Sequence, residues 1–592
     1  MGLIRTVPWV LLLFLCGGRA PAAEQAAVTG GTLAITGGTL VDVTTGQLVP
    51  NAVIVLEGDR ILSVTSGGDA PAGSALIDAT GKYVLPGLID LHVHYEDWAA
   101  ELYLNHGVTT VVDLGNVYDW IKAQKDGIAS GVVPGPRLFH SPPNLEGPGE
   151  SEAAVPKRIE RILKNAEDAR AAVREYTGKV EAVKVYDRLT VPQLRGIVAE
   201  AEKFNVPVIG HFSDVRIAAE VGAHGVEHTH AVANALVDSR TLDEVLRKVR
   251  RGYRVYPQAV MDMKRLPEIV RLMVDSGLYL NPTMRGNWQG SRALREKGFH
   301  HEDFELLLGD WRLRYVPLAF RLAVLKEYDE IGLWNWRDLS EYERELFEEG
   351  YRNTQRLVKA FVDAGGKVYA GTDSAHMSTP GLSMHQELEL LVDAGLTPLI
   401  ALQAATTNPA ALMRMSDRLG TVAAGKVGDL LILDENPLAD IRNTRKIWRV
   451  ISRGRVLDGA YHADFKNPLP RNYAEDSSHY FPSPEIRSAT PGTVEAGADG
   501  TVVTITGTGF IPYSTVQFDG VKVKTEWLST KELRAHVPRE LLRPGTYGLR
   551  VENPDFGWGS VSVGSHLAHL GIRDYLSNEF LVLVKFAGRS DR

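Results

Sequence analysis

Cysteine is almost absent from this chain of 592 residues, since Cys16 is its only example. A single cysteine excludes a disulfide framework, a cysteine-based zinc site and a cysteine nucleophile from the rest of the chain. An excess of positive charge is also lacking, because 65 Lys and Arg stand against 73 Asp and Glu and give a formal net charge of −8. The chain therefore offers no cationic field for a phosphate backbone, and we expect no nucleic-acid partner.

Long apolar runs are missing as well. The run Val7 to Leu15 is far shorter than the roughly 20 residues that a spanning helix needs. It follows Arg5 and precedes Ala20-Pro21-Ala22, a pattern typical of a secretory signal peptide, here residues 1–22. We therefore predict a periplasmic or extracellular protein with no transmembrane anchor. A lipid on Cys16 is the alternative, which the bulky residues before it disfavour.

The remaining composition, 44% hydrophobic and 23% charged residues, is that of a globular protein. Residues 32–80 and 416–465 carry short β-type runs between turn residues, which predicts a small flanking β-sandwich of antiparallel strands built from both segments. Between them, in residues 81–415, strand-like runs alternate with helical stretches and predict a (β/α)8 barrel in an α/β fold. The expected barrel strands are 84–94, 108–113, 137–140, 180–186, 206–211, 225–228, 278–282 and 367–371.

Two further segments have a distinct texture. An insertion of about 285–358 is rich in Trp, Tyr, Arg and Glu and follows the seventh expected strand, where a βα loop would cover the barrel mouth. Residues 466–483 are rich in proline, which predicts a linker. Alternating strands with Gly and Pro turns then predict a separate immunoglobulin-like β-sandwich over residues 484–587.

Histidines and one aspartate stand at the ends of expected strands. His92 and His94 end the first strand, on one face of it because side chains alternate with a period of two. Three more such residues end or follow later strands, at the edge where barrels of this kind build active sites: His211, His228 and Asp373. This nitrogen and oxygen set suits zinc first and other divalent transition metals less specifically.

Lys184 lies in an apolar run that predicts a strand, and we expect its ammonium to be directed inward. An isolated ammonium there would face a heavy desolvation cost and a depressed pKa. One interpretation is a lysine paired with Asp or Glu. The other is a neutral amine that has taken up CO2 and become a carbamate bridging two cations.

Several motifs, taken in their order along the chain, resemble the amidohydrolase superfamily: 85–94, 107–110, 371–373, 405–410 and 420–430. The resemblance covers about residues 32–460. It implies a binuclear site with two divalent ions, zinc first. His92, His94 and Asp373 would hold one ion, His211 and His228 the other, and carboxylated Lys184 would bridge them.

Within the superfamily the chain is similar to prolidase-like and imidazolonepropionase-related dipeptidases. This implies an exported hydrolase that cleaves an amide or peptide bond of a dipeptide or N-acyl amino acid with a metal-bridging hydroxide, while Asp373 transfers the proton as the catalytic residue. Two alternatives stay open. One is opening of a cyclic amide or lactone, or deamination, by the same kind of site. The other is a non-catalytic surface binding protein.

The substrate side of the site departs from the dipeptidase pattern. Those enzymes commonly carry a Gly-Gly-His segment after the third strand, where this chain has Leu145 to Glu150. Two histidines are candidate substrate-binding residues. His230 would share the face of His228 if that strand continues, and His140 could substitute for the missing motif, although a structural role suits it better.

The C-terminal block resembles a TIG-type immunoglobulin-like domain through residues 491–492, 505–510, 537–538 and 551–554. Such domains are usually interaction or spacer modules. The resemblance therefore implies contact with a protein or a glycan as one role for this block, and it leaves homo-oligomerisation open.

Overall fold

The structure, a computed structural model, describes most of the chain: residues 31–148, 160–186, 188–249, 256–288, 291–317, 320–321, 324, 340–375, 378–469, 484–496, 498–508, 510, 514–529, 531–552 and 580–585. The predicted signal peptide, including Cys16, and most of the predicted linker lie outside the described residues. Within these ranges, none of the helices combines the length and the apolar character needed to cross a membrane.

The strands are β1 (Thr32–Val41), β2 (Leu48–Glu57), β3 (Arg60–Ser66), β4 (Ala75–Asp78), β5 (Tyr83–Pro86), β6 (Leu88–Val93), β7 (Val108–Asp113), β8 (Arg137–His140), β9 (Asn144–Glu146), β10 (Glu160–Ile162), β11 (Val183–Val185), β12 (Val208–Gly210), β13 (Gly225–Glu227), β14 (Tyr279–Asn281), β15 (Lys367–Val368), β16 (Leu430–Leu433), β17 (Ile447–Ser452), β18 (Arg455–Val456), β19 (Glu485–Thr490), β20 (Thr493–Glu495), β21 (Thr501–Thr508), β22 (Thr515–Phe518), β23 (Val521–Ser529), β24 (Glu532–Val537), β25 (Gly545–Glu552) and β26 (Phe580–Lys585). The α-helices are α1 (Ala100–Asn105), α2 (Tyr118–Ala129), α3 (Ala166–Glu175), α4 (Val191–Lys203), α5 (Val215–Val221), α6 (His230–Leu236), α7 (Ser239–Leu246), α8 (Tyr256–Ala259), α9 (Leu266–Asp275), α10 (Met284–Asn287), α11 (Arg292–Glu296), α12 (Phe299–Phe304), α13 (Glu341–Asp363), α14 (Leu382–Asp393), α15 (Pro398–Ala404) and α16 (Thr407–Leu412).

The small domain is one eight-stranded sheet built from both ends of the barrel region, in the order β18-β17-β16-β5-β1-β2-β3 with β4 beside β1. Its largest hydrophobic cluster draws on both segments, for example through Ile35 of β1 and Ile432 of β16. The prediction of one unit from two distant segments is confirmed. The prediction of purely antiparallel pairing is wrong, because β1 runs parallel to both β4 and β5.

The predicted parallel barrel is confirmed. Its wall consists of β6, β7, β8 and β11 to β15. The short strand β9, which follows β8 in the sequence, pairs with β11. Backbone hydrogen bonds close the ring, since Asp373 N donates to His92 O at 2.8 Å and Leu91 N donates to Ala370 O at 3.1 Å. A large cluster of apolar side chains between the strands and the surrounding helices forms the main core.

The first expected strand, 84–94, is in fact two strands in two different sheets. β5 pairs with β1 and β16 of the small domain, whereas β6 pairs with β7 of the barrel. The chain passes between them at Gly87, where a Cβ would lie 2.1 Å from Thr109 Oγ1. The apolar pattern continues across this glycine, and the sequence therefore hides the change of sheet.

The predicted insertion after the seventh strand begins with three short helices, α10 to α12. The fully buried Arg285 donates from Nε to Gln386 Oε1 at 2.5 Å and from Nη2 to Asp303 Oδ2 at 2.9 Å. Thr379 also donates to Asp303. These bonds attach the insertion to α14 and to the segment that follows Asp373.

The C-terminal block is an eight-stranded sheet in the order β19-β21-β24-β23-β22-β25-β26-β20. β23 joins its two halves, because its first residues pair with β22 and its last residues with β24. Both halves contribute to one cluster, for example Val503 from β21 and Val551 from β25. This arrangement confirms the immunoglobulin-like β-sandwich.

Candidate metal centre

Three side chains with metal-ligating atoms meet at the carboxyl ends of the barrel strands. One atom each from His92, His94 and Asp373 lies within 4.8 Å of the other two. His94 Nε2 is 3.1 Å and His92 Nε2 is 3.6 Å from Asp373 Oδ1. A divalent ion with three nitrogen and oxygen ligands fits this spacing.

The other two predicted ligands lie beside this group. His228 Nε2 is 4.0 Å from Asp373 Oδ2. The ring centroid of His228 lies 5.4 Å from that of His92 and 4.9 Å from that of His211. The structure thus gathers all five predicted histidine and aspartate ligands into one region, and their assignment to two ions stays a proposal.

Lys184 is fully buried, and its Nζ has no hydrogen-bond partner among the described residues. It lies over the ring of Tyr186, whose centroid is 5.7 Å away. Burial lowers the pKa of Lys184, although the charges of Glu227 and Asp373 act in the opposite direction. A buried amine without a direct carboxylate partner fits the carbamate interpretation better than the ion-pair interpretation.

A second partner fixes the orientation of three of the histidine rings. His92 Nδ1 donates to Glu227 Oε2 at 2.6 Å, and His94 Nδ1 donates to Gly115 O at 3.2 Å. His228 Nδ1 is 3.0 Å from Thr283 Oγ1. Because each Nδ1 is engaged, each Nε2 is left to face Asp373, the arrangement that metal-binding histidines normally show.

Glu227 is the main functional residue that the sequence analysis missed. Besides His92, its carboxylate accepts hydrogen bonds from Asn281 Nδ2 and from Tyr369 OH, each at 2.7 Å. Burial alone would raise the pKa of Glu227, but the neighbouring His92, which also donates a hydrogen bond to this carboxylate, outweighs it and holds that pKa well below its usual range. Glu227 is therefore an ionised anchor for His92.

Backbone strain marks the same region. His228, Thr283 and Asp373 have φ values of 61°, 45° and 55°, in the left-handed region that residues other than glycine seldom adopt. At His228 this turn ends β13 at Glu227, one residue earlier than expected, and so brings two adjacent side chains to one site. Strained residues of this kind cluster at functional sites.

Asp90 holds the segment that carries Asp373. Its carboxylate accepts from Thr372 N at 3.0 Å and from Thr372 Oγ1 at 2.6 Å. Burial raises the pKa of Asp90 to about 7, although the bonds from Thr372 lower it. The residue before Asp373 is thereby fixed to β6, the strand of His92.

The protonation states of His228 and Asp373 suit metal binding. Burial lowers the pKa of His228 well below its usual value, so the ring is neutral at neutral pH and can act as a ligand. Burial would raise the pKa of Asp373, but the neighbouring His92, His94 and His228 outweigh it and keep the carboxylate ionised.

The two predicted substrate-binding histidines have different surroundings. The strand of His228 does not continue, and His230 is instead the first residue of α6, with its ring centroid 5.6 Å from that of His228. His140 donates from Nδ1 to Ser141 O, and its ring lies 5.6 Å from that of Tyr118. The preceding Phe139 packs into the barrel interior. His140 is therefore on the opposite, helix-facing side, which favours a structural role.

Comparison with known proteins decides the family. The model of the amidohydrolase family matches residues 83–457, more than half of the chain. The chain belongs to the amidohydrolase family. Members of this family typically depend on metal ions. The IPT/TIG domain model matches residues 484–566, while the outer limits of the domains stay predictions.

Two relatives illustrate the range of similarity. Adenine deaminase 2 of Agrobacterium fabrum is 39% identical over 139 residues, covering 20% of this chain and 23% of the relative. An adenine deaminase of Rubrobacter xylanophilus is 24% identical over 416 residues, covering 69% of this chain and 55% of the relative. The chain thus spans between about a fifth and about half of the length of these relatives.

Solved structures share the fold at low identity. A Xaa-Pro dipeptidase with bound methionine has a TM-score of 0.52 at 20% identity, over 72% of this chain and all of that chain. Phenylurea hydrolase B has a TM-score of 0.53 at 20% identity, over 74% of this chain and all of that chain. At such identity the likeness concerns the fold.

Proposed function

We propose that this protein is a metal-dependent hydrolase of carbon–nitrogen bonds that cleaves the amide bond of a dipeptide or an N-acyl amino acid. The observation that carries the proposal is the buried Lys184 amine, which has no hydrogen-bond partner among the described residues and lies beside five potential ligands. A carbamate on this amine would supply the oxygen ligands of a two-ion centre.

The residues divide into two ligand groups. His92, His94 and Asp373 would hold one ion, and His211 and His228 the other, with carboxylated Lys184 between them. When bound, two such ions lower the pKa of a shared water and polarise the scissile carbonyl.

Asp373 is the residue that moves the proton. It is ionised and 13% exposed, so it can accept a proton from the attacking water and return it to the leaving nitrogen. Glu227 and Asp90 act through their neighbours, because Glu227 orients His92 and Asp90 fixes the backbone next to Asp373. No covalent bond between protein and substrate is required.

Deamination of an amino heterocycle is the second candidate, and the names of the sequence relatives favour it. In both reactions water attacks a carbon bonded to nitrogen, and Asp373 would protonate that nitrogen as it leaves. The two candidates differ in the product, since amide hydrolysis releases an amine from an acyl group and deamination releases ammonia.

One screen tests both candidates. We would load the protein with zinc and bicarbonate and incubate it with dipeptides, N-acyl amino acids and adenine, measuring free primary amine and ammonia separately. We expect new amine and no ammonia, and we expect Asp373→Asn to abolish the product. Ammonia from adenine alone would replace the first candidate by the second. A protein that purifies with little metal and converts none of the compounds would instead support the non-catalytic alternative.

Two proposals concern the rest of the chain. Export rests on the pattern of residues 1–22, and a binding role of the C-terminal block, for a protein or a glycan, rests on its match to the IPT/TIG domain. Neither affects the chemistry, because every proposed ligand precedes residue 374.

A further inference from the structure

Asn144 is a buried polar side chain that the site as described does not use. Its side chain is completely buried, and neither Nδ2 nor Oδ1 has a hydrogen-bond partner among the described residues. An amide in this state carries the full cost of desolvation without compensation. Such a group calls for a ligand that supplies both a donor and an acceptor.

The strand register places Asn144 next to Lys184. Leu145 of β9 pairs with Val185 of β11, and both pack in the core between the barrel and its helices. Side chains alternate along a strand, and paired residues of parallel neighbours share a face. Asn144 and Lys184, each one residue earlier, therefore share the opposite face.

The amide also borders the first ligand group. A Cβ on Gly115 would lie 2.9 Å from Asn144 Nδ2 and 3.2 Å from His94 Cε1. The Asn144 amide and the His94 ring thus flank the same point beside Gly115. This places three unpartnered buried atoms, Asn144 Nδ2, Asn144 Oδ1 and Lys184 Nζ, at one side of the site.

We propose that Asn144 is a positioning residue that hydrogen-bonds the carbamate on Lys184 with both ends of its amide. The inference rests on the carboxylation of Lys184 in the proposed function. Nδ2 donates to a carbamate oxygen, and Oδ1 accepts from the N–H that the lysine nitrogen retains. One group then satisfies all three unpartnered atoms.

The chemistry balances. The neutral Lys184 amine forms a bond from Nζ to the carbon of CO2, and one C=O bond of CO2 opens to give the carboxylate. The nitrogen releases one proton to the solvent and keeps one N–H. This leaves a carboxylate and an N–H on the same group, which matches the acceptor and donor of a carboxamide. Asn144 would thereby favour the carbamate over the free amine.

The test compares Asn144→Leu with a matched control. Leucine has a similar size and no polar atoms. Asn353 is also buried, but its Nδ2 donates to Gln258 O at 3.1 Å and to Ala259 O at 3.3 Å, in the packing of α13 against α8. Asn353→Leu therefore loses hydrogen bonds that the free protein makes, whereas Asn144→Leu loses none that the described residues provide.

Metal-free full-length protein is titrated with bicarbonate at fixed zinc, and bound zinc per chain and melting temperature are measured. ¹³C NMR with ¹³C-bicarbonate reports the carbamate directly. We expect Asn144→Leu to need at least about tenfold more bicarbonate for half-maximal zinc uptake, because it loses both hydrogen bonds to the carbamate and each typically has a modest net effect. Its metal-free melting temperature should be at or above that of the wild type. Asn353→Leu should melt lower with an unchanged bicarbonate dependence.

Three results would overturn the inference. An unchanged bicarbonate requirement of Asn144→Leu would show that the amide does not stabilise the carbamate. A raised KM with unchanged carbamate and zinc would make Asn144 a substrate-binding residue. A wild type without a carbamate resonance would remove the carbamate itself, while the product screen would still decide separately whether the protein hydrolyses amides. Asn144→Asp, which adds a negative charge beside the carbamate, should show a larger shift and is the second variant if Asn144→Leu misfolds.

Discussion

Replacing Glu227 by glutamine removes one negative charge from the partner of His92 and keeps the shape of the side chain. The glutamine oxygen can still accept the 2.6 Å hydrogen bond from His92 Nδ1, but the bond is no longer charge-assisted. Second partners of metal-binding histidines typically contribute about 10- to 100-fold in metal affinity, equal to about 1.4 to 2.8 kcal/mol. We therefore expect Glu227→Gln to bind zinc about 10- to 100-fold more weakly.

The assay is competition for zinc between the protein and a chelator of known affinity, with the zinc content of the chain as readout. Glu200→Gln is the matched control, because Glu200 is a buried glutamate of α4 that pairs with Lys203 and Arg174 outside the site. We expect Glu200→Gln to change stability and to leave zinc affinity as in the wild type. Equal zinc affinity of Glu227→Gln and wild type would refute the role of Glu227 as the anchor of His92.

Three further predictions concern other parts of the chain. A chain that ends after Leu469, whose carbonyl accepts a hydrogen bond from Gln124 of the barrel, should keep most of its kcat. Loss of activity from a truncated protein that still folds would show that the C-terminal block helps to form the site. Burial raises the pKa of Glu387 from 4.5 to about 7. Below pH 4.5 this raised pKa therefore contributes up to about 3 kcal/mol to the free energy of unfolding of the metal-free protein, and the contribution is lost as the pH rises to 7. In Glu387→Gln, the urea concentration at half-unfolding should therefore vary less with pH over this range. Mass spectrometry of the exported protein should find a mature N-terminus near Ala22 or Ala23, and an intact Met1 would contradict export.

The barrel could be predicted because the strands and the residues that end them follow a local pattern. The alternation that predicts His92 and His94 on one face is a local pattern, although β6 itself ends at Val93 and has a register shift between Asp90 and Val93. Such a local pattern fails where two sheets meet. The residues on both sides of Gly87 are equally apolar, and only pairing with different partners separates β5 from β6.

Residues that act through their neighbours could not be predicted in this way. Glu227 precedes His228, and a regular strand would place the two on opposite faces. The positive φ of His228 brings both side chains to one site, and no local sequence pattern predicts this backbone conformation. Asn144 lies next to Lys184 only because β9 pairs with β11. The paired residues of these strands, Leu145 and Val185, are 40 positions apart in the sequence.

Metal content per chain of the wild type and of Lys184→Ala, measured together with the melting temperature, tests the binuclear centre most directly. We expect two zinc ions in the wild type reconstituted with bicarbonate, and at most one in Lys184→Ala, whose metal-free fold should melt close to the wild type. Acetate or propionate should partly restore zinc and activity by occupying the vacated bridge. An ordinary buried ion pair would instead cost about 3 to 5 kcal/mol of stability on loss of one partner, without such rescue. A Lys184→Ala variant that keeps two zinc ions and full activity would contradict the binuclear centre.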